Sequence, residues 1–213
     1  MFLESVPSAV FIGAHTDDEM ICAGTLHKLV KMGVDVKVMI FACARIDGVP
    51  EEKSKEILAA EFNKSMDILG VPSANRWLLN WETRKLPDSR NEVRQYVYDF
   101  VKTHRPDLAF ILSPNDDHQD HSAVGEESER VMKGRVRMIL RCQYPWNYKN
   151  FNPNLFVTLT EDELKTKVGA INAYKSQTFR YNYCKLFEQQ ARADGLSIKE
   201  EIAEKFEIIR LVT

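Results

Sequence analysis

His15, Asp17, Asp18 and Glu19 fall within five consecutive positions, and His118, Asp120 and His121 lie within four positions much further along the chain. An imidazole can hold a divalent metal or relay a proton, and a carboxylate can ligate, accept a proton or orient an imidazole. Three of the five histidines in the chain belong to these two clusters. Two imidazoles and one carboxylate leave a coordination position open for water, the pattern of catalytic rather than structural zinc. The chemistry expected of such a set is metal-assisted hydrolysis. Each cluster also has a plainer reading. An Asp-Asp-Glu run can simply cap a helix and complement its macrodipole, and His-x-Asp-His can be a solvated turn. Both plain readings would have to hold at once, each directly after an apolar strand.

Those strands decide where the clusters sit. Residues 9–13 and 107–112 are apolar runs of the kind buried on both faces of a parallel sheet, and each leads straight into its polar cluster. Helical periodicity follows each cluster, over 19–32 up to Gly33 and over 122–133. Further strands are expected at 36–41, 76–80, 136–142, 155–159 and 207–212, and helices at 52–69, 92–103, 161–175, 183–193 and 198–205. The alternation predicts a single-domain, Rossmann-like α/β fold over residues 1–213, a mostly parallel, doubly wound sheet with helices on both faces. In such a sheet the carboxyl ends of the strands share one edge, so clusters far apart in sequence can converge.

Composition narrows the partners. Lysine and arginine total 29 against 31 acidic residues, a net charge of −2, and no basic run tracks a phosphate backbone, so nucleic acid is not expected. The four cysteines (Cys22, Cys43, Cys142, Cys184) form no Cys-x-x-Cys pair and suit a reducing cytoplasm. The N-terminus lacks a basic region, and the apolar run behind it is far shorter than the ~20 residues needed to span a bilayer, so neither export nor an integral membrane segment is expected. Oligomeric state is open, a homo-oligomer included.

Ala14-His15-Thr16-Asp17-Asp18-Glu19 resembles the Ala-His-Pro-Asp-Asp-Glu signature of the LmbE-like, or PIG-L, family of zinc-dependent de-N-acetylases, and His118-Gln119-Asp120-His121 is similar to that family's His-x-Asp-His motif. Glu61 to Gly70, Ser176-Gln177 and Ala203-Glu204-Lys205-Phe206 echo its other conserved stretches, so the resemblance spans nearly the whole chain. Two positions depart from the pattern. Thr16 replaces a proline, which would loosen that turn, and Tyr174 stands where many members place a histidine.

Residue by residue, the resemblance implies that His15, Asp18 and His121 hold Zn²⁺, or another divalent metal such as Fe²⁺, and that Asp17 is the general base. It further implies that His118, oriented by Asp120, polarises the developing oxyanion or protonates the leaving amine. Glu19 is left as a helix cap or a support to the ligands. The implied substrate is a small N-acetylated amino-sugar conjugate of the N-acetylglucosamine type, cleaved to acetate and a free amine. Arg45 and Asp47 after the second strand, and Trp146 and Tyr148 after the strand at 136–142, are candidates to line the substrate site. Two alternatives stand beside this reading: a metal-dependent ester or phosphate-ester hydrolase, and a non-catalytic amino-sugar binding protein of the same fold. A phosphoryl site would favour oxygen over imidazole ligands, and a facial-triad Fe(II) oxygenase usually sits on an antiparallel barrel.

Overall fold

The computed structural model describes residues 2–147, 149–179 and 181–212. Seven strands form one sheet: β1 (Ser8–His15), β2 (Asp35–Ala42), β3 (Arg76–Trp81), β4 (Leu108–Leu112), β5 (Met138–Cys142), β6 (Leu155–Thr158) and β7 (Ala203–Leu211). The helices are α1 (Ala23–Lys31), α2 (Glu51–Leu69), α3 (Arg90–His104), α4 (Gln119–Met132), α5 (Glu161–Ile171), α6 (Lys175–Thr178) and α7 (Tyr183–Ser197). The strand order is β3-β2-β1-β4-β5-β7-β6. Strands β1 to β5 are parallel, and β7 and β6 close one side antiparallel.

Helices α1, α2, α5 and α7 pack together as one layer, while α3 and α4 pair as another. Covered on both faces, β4 is apolar throughout and β1 apolar between Ser8 and His15, and both are almost wholly buried, because neither face needs to meet water. The chain leaves β1 for β2 on one side and returns to β4 on the other. The crevice between the carboxyl ends of β1 and β4 is therefore the switch point at which open α/β sheets take ligands. This is the mostly parallel, doubly wound sheet that the sequence predicts.

Three local expectations are corrected. The helix expected from residue 19 opens as a 3-10 turn, Asp18–Ile21, and becomes α-helical only at Ala23. The helix expected over 161–175 starts on a Thr160–Glu163 capping box but stops at Ile171 and resumes as the short α6. The stretch 198–205 is not helical. Lys199 turns left-handed at φ 65, and Ala203 already pairs with Thr158, so cross-strand pairing overrides a helix-compatible sequence. Among the described residues no helix is long and apolar enough to cross a membrane.

Candidate metal centre and catalytic pocket

His15 is the last residue of β1, and the chain then reverses through Asp17 at φ 90, ψ −15. A left-handed conformation at a non-glycine residue costs on the order of 1–3 kcal/mol and persists where the surroundings over-determine it. Here the determinant is Asp18, whose side chain folds back so that Oδ2 accepts the backbone N–H groups of Ala14 and His15, both at 2.8 Å. Its other oxygen, Oδ1, lies 3.2 Å from His121 Nε2 and accepts the Tyr144 hydroxyl at 2.9 Å.

Thr16, in place of a proline, donates its backbone N–H to Ala42 O at 3.1 Å and accepts from Ala44 N through Oγ1 at 3.2 Å. A proline could not make the first of these bonds. The departure thus ties the turn to the end of β2 instead of loosening it.

The second cluster is built on the start of α4. His118 is the N-cap, its Nδ1 accepting the N–H of Asp120 at 3.2 Å. Asp116 accepts the N–H of His118 at 2.8 Å and stands 3.3 Å from His121 Nδ1. The Asp120 carboxylate does not bond the His118 ring, contrary to expectation; only its backbone N–H does. Its Oδ2 lies 2.9 Å from His15 Nε2 and accepts the Arg84 N–H at 2.6 Å, while Oδ1 accepts from Leu86 N at 3.3 Å. The reason is local: His118 folds over the helix start as its cap, leaving the Asp120 side chain to face β1. Each of His15 and His121 therefore has a carboxylate behind it, the arrangement that fixes ring orientation and tautomer in metal-binding histidines.

His15 Nδ1 is 3.2 Å from His121 Nε2. Asp18 Oδ1 lies equally close to the same His121 nitrogen, which gathers two imidazole nitrogens and one carboxylate oxygen around it. Donor atoms on a tetrahedral zinc ion with bonds of about 2.0–2.1 Å stand about 3.3 Å apart, so both separations from His121 Nε2 fit such an ion. Ring nitrogens of His15, His118 and His121 also lie within 4.8 Å of one another, close enough for the three imidazoles to share a metal ion. With Nδ1 occupied as an acceptor, neutral His118 carries its proton on Nε2, which is a donor and not a ligand.

The charges in the cluster differ sharply. Burial, reinforced by the carboxylates of Asp18 and Glu19, drives the Asp17 carboxyl well above its ordinary range. Burial also opposes ionisation of Asp18, yet His121 and His15 outweigh it and hold this carboxyl far below the usual range. For His121, burial works against the charge, but Asp18 and Asp116 lift it to about 10. His118 moves the other way, to about 4, through burial and the neighbouring His15 and His121. Burial and those neighbours thus favour the neutral N–H form of His118 over its cation near neutrality.

A cavity of about 440 Å³ opens above these groups. His15, Asp17, Asp18, His118 and His121 line it, as do Arg45, Asp47 and Trp146. Asp120 lies behind the wall, completely buried, and Tyr148 falls outside the described residues. The carboxylate of Asp17 has no hydrogen-bond partner among the described residues, so it is available to whatever enters. Glu19 turns away into the interior, where its Oε1 accepts from Ser65 Oγ at 2.9 Å and Tyr174 OH at 2.6 Å. Burial, only partly offset by those two bonds, raises Glu19 to about 7. The Tyr174 departure is thus absorbed in the core beneath the site.

Four residues were not legible as site residues: Asp116, Arg84, Tyr144 and Gln177. Asp116 was hidden in an Asn-Asp-Asp turn, and Arg84 lies after β3, the strand with the weakest apolar signal. Tyr144 was visible only as part of an aromatic loop. Gln177 follows Ser176, whose N–H and hydroxyl are clasped by Glu61 at 2.9 and 2.6 Å; this joins two of the weaker motifs.

Known proteins share this architecture. An uncharacterised deacetylase, YaiS, of Escherichia coli K12 is 25% identical over 173 residues, covering 78% of this chain and 89% of that one. The N,N'-diacetylchitobiose deacetylase of Pyrococcus horikoshii superposes with a TM-score of 0.80 at 23% identity over 97% of this chain and 85% of the other. GalB, the 4-carboxy-2-hydroxymuconate hydratase of Pseudomonas putida KT2440, superposes at 0.78 with 16% identity over 97% of each chain. The last of these shows that the fold alone does not select one reaction. The sequence pattern of the PIG-L family, GlcNAc-PI de-N-acetylase, matches residues 10–132, more than half of the chain and both polar clusters, and the chain belongs to that family.

Proposed function

We propose that this protein is a metal-dependent N-deacetylase that removes the acetyl group from a small N-acetylated amino-sugar conjugate of the N-acetylglucosamine type. The observation that carries the reading is the convergence of His15 Nδ1, Asp18 Oδ1 and His121 Nε2 beside the unpartnered Asp17 carboxylate. Those three residues would hold the metal. Zinc suits the mixed nitrogen and oxygen donors best, with Fe²⁺ the next candidate. The bound cation would polarise the acetyl carbonyl and acidify a water.

The chain supplies the rest. Asp17, aimed into the cavity, takes the proton of the attacking water, and its strained turn fixes the carboxylate there. His118 donates its Nε2 proton toward the developing oxyanion or the departing nitrogen. Asp120 acts through His15 by fixing that ring. Overall, water adds across the amide and acetate and a free amine leave. Arg45, Asp47 and Trp146 surround the mouth, and an aromatic face beside polar groups matches a sugar ring. The free cysteines, three buried and one half-buried, accord with a cytoplasmic setting.

Acetate release from a panel of N-acetylglucosamine conjugates and matching acetate esters, before and after chelation and zinc restoration, tests the reading. Chelation should abolish release from the amides and zinc should restore it. Release from esters alone, or release indifferent to chelation, would overturn it. Metal analysis of a His15→Ala/His121→Ala double variant should show the bound metal gone, and a stoichiometric metal surviving there would refute the assigned ligands.

A further inference from the structure

Tyr144 touches two of the three donor residues at once. Its hydroxyl donates to Asp18 Oδ1 at 2.9 Å, and its ring stacks on the His121 imidazole, with centroids 5.4 Å apart and planes 19° apart. On the far side the Trp146 indole lies on Tyr144 at 4.4 Å and 21°. Tyr144 is only 6% exposed, whereas Trp146 is 45% exposed, so the tyrosine is an inner member of a ring stack running from His121 to the mouth of the cavity.

Asp18 Oδ2 is fully occupied by two backbone N–H groups, so Oδ1 is the oxygen free to serve a metal. The Tyr144 hydroxyl and the His121 nitrogen both lie at that oxygen, 2.9 and 3.2 Å away. We infer that Tyr144 is a positioning residue for the metal centre: its hydroxyl fixes the direction of Asp18 Oδ1 and its ring fixes the plane of His121. The inference rests on the proposed metal site and adds to it a residue that carries no ligand atom. Carboxylates behind His15 and His121 do the same for the imidazoles, and Tyr144 completes the set for the carboxylate ligand.

The same side chain also separates the catalytic pocket from a second cavity of about 310 Å³, since Tyr144 borders both. Truncation to alanine would therefore merge two cavities as well as remove the hydroxyl. Tyr144→Phe is the cleaner variant, because it keeps the ring stack and the wall and deletes one hydrogen bond.

The experiment measures zinc affinity by competition with a chromophoric chelator in wild type, Tyr144→Phe and Trp146→Phe, together with the visible absorption of the Co²⁺-loaded proteins. Steady-state kinetics and melting of the metal-free proteins accompany these measurements. Tyr144→Phe should weaken zinc binding by about 10-fold, the low end of the range for groups that orient metal ligands, and should shift the cobalt bands. KM should stay near wild type, and Trp146→Phe should leave both metal readouts unchanged. Wild-type zinc affinity and an unaltered cobalt spectrum in Tyr144→Phe would overturn the inference, as would a change confined to KM, which would make Tyr144 a substrate contact. A wild-type protein that binds no zinc or cobalt would overturn both this inference and the proposed metal site. Intact metal binding without acetate release would overturn the deacetylase reading alone and leave the role of Tyr144 standing.

Discussion

Two clusters of buried charge lie on either side of the 3-10 turn that follows β1, and they are built on opposite principles. Behind the turn, Lys167 and Glu204 are 2% and 3% exposed and fully engaged. The Lys167 ammonium bonds Glu204 Oε1 at 2.5 Å and Ile21 O at 3.0 Å, and it lies 5.2 Å from the centre of the Phe187 ring. Glu204 in turn accepts the N–H groups of Gly24 and Thr25, the open donors at the start of α1, at 3.0 and 2.7 Å. In front of the turn, the Asp17 carboxylate makes no side-chain hydrogen bond among the described residues, and Glu19 Oε2 is buried without a hydrogen-bond partner among them. A saturated cluster can only hold structure together. An unsaturated one retains capacity for a substrate, a proton or an ion, at the cost of desolvating its carboxylates.

The comparison breaks first at Asp17. Asp17→Asn should lower turnover by roughly 10²–10⁴-fold, the range for a lost general base, while leaving thermal stability intact or raised. Turnover together with a melting curve checks this. A variant that loses stability in parallel with activity would place Asp17 among the structural charges. Glu204→Ala should do the reverse and destabilise the fold by about 3–5 kcal/mol, because Lys167 is left buried without its counter-charge. Urea unfolding with an unchanged m-value measures that loss. A cost near zero would mean that the saturated cluster contributes little.

Glu19 sharpens the contrast, since it belongs to the front cluster by position and to the core by burial. Its carboxyl is held at about 7 in the folded state against an ordinary 4.5, so between those values the native protein binds more protons than the unfolded chain. Its contribution is therefore greatest below about pH 4.5 and is lost as the pH rises through about 7. Glu19→Gln should flatten that slope and gain about 3 kcal/mol relative to wild type at pH 8. Melting temperatures of the two proteins at pH 5 and pH 8 decide it, and parallel pH profiles would show that Glu19 titrates normally. The smallest effect belongs to the rim. Trp146→Ala should raise KM by roughly threefold to tenfold, equivalent to about 1 kcal/mol of ring contact, with kcat nearly unchanged. A fall in kcat at constant KM would move Trp146 from the substrate face to the support of the metal centre.

Much of this was written in the linear sequence. The apolar runs before His15 and after Pro106 dictate buried parallel strands, and the β-α alternation dictates a doubly wound sheet. The carboxyl ends of β1 and β4 must then share an edge, which places the two His/Asp clusters together. Local patterning does not extend to residues 198–205, where the β6–β7 ladder dictates the structure, or to the break after Ile171. Nor can spacing assign hydrogen bonds between side chains that are remote in sequence. Asp120 lies two residues from His118 and far along the chain from His15, yet the fold gives its carboxylate to His15. Tyr144 reached Asp18, and Asp116 reached His121, only once the strand ends were side by side. Residue types and their strand-end positions determined which chemistry was available. Tertiary packing decided which carboxylate is ionised, which is left without a partner and which imidazole is backed by an acid, because desolvation and close charge pairs exist only in the folded chain.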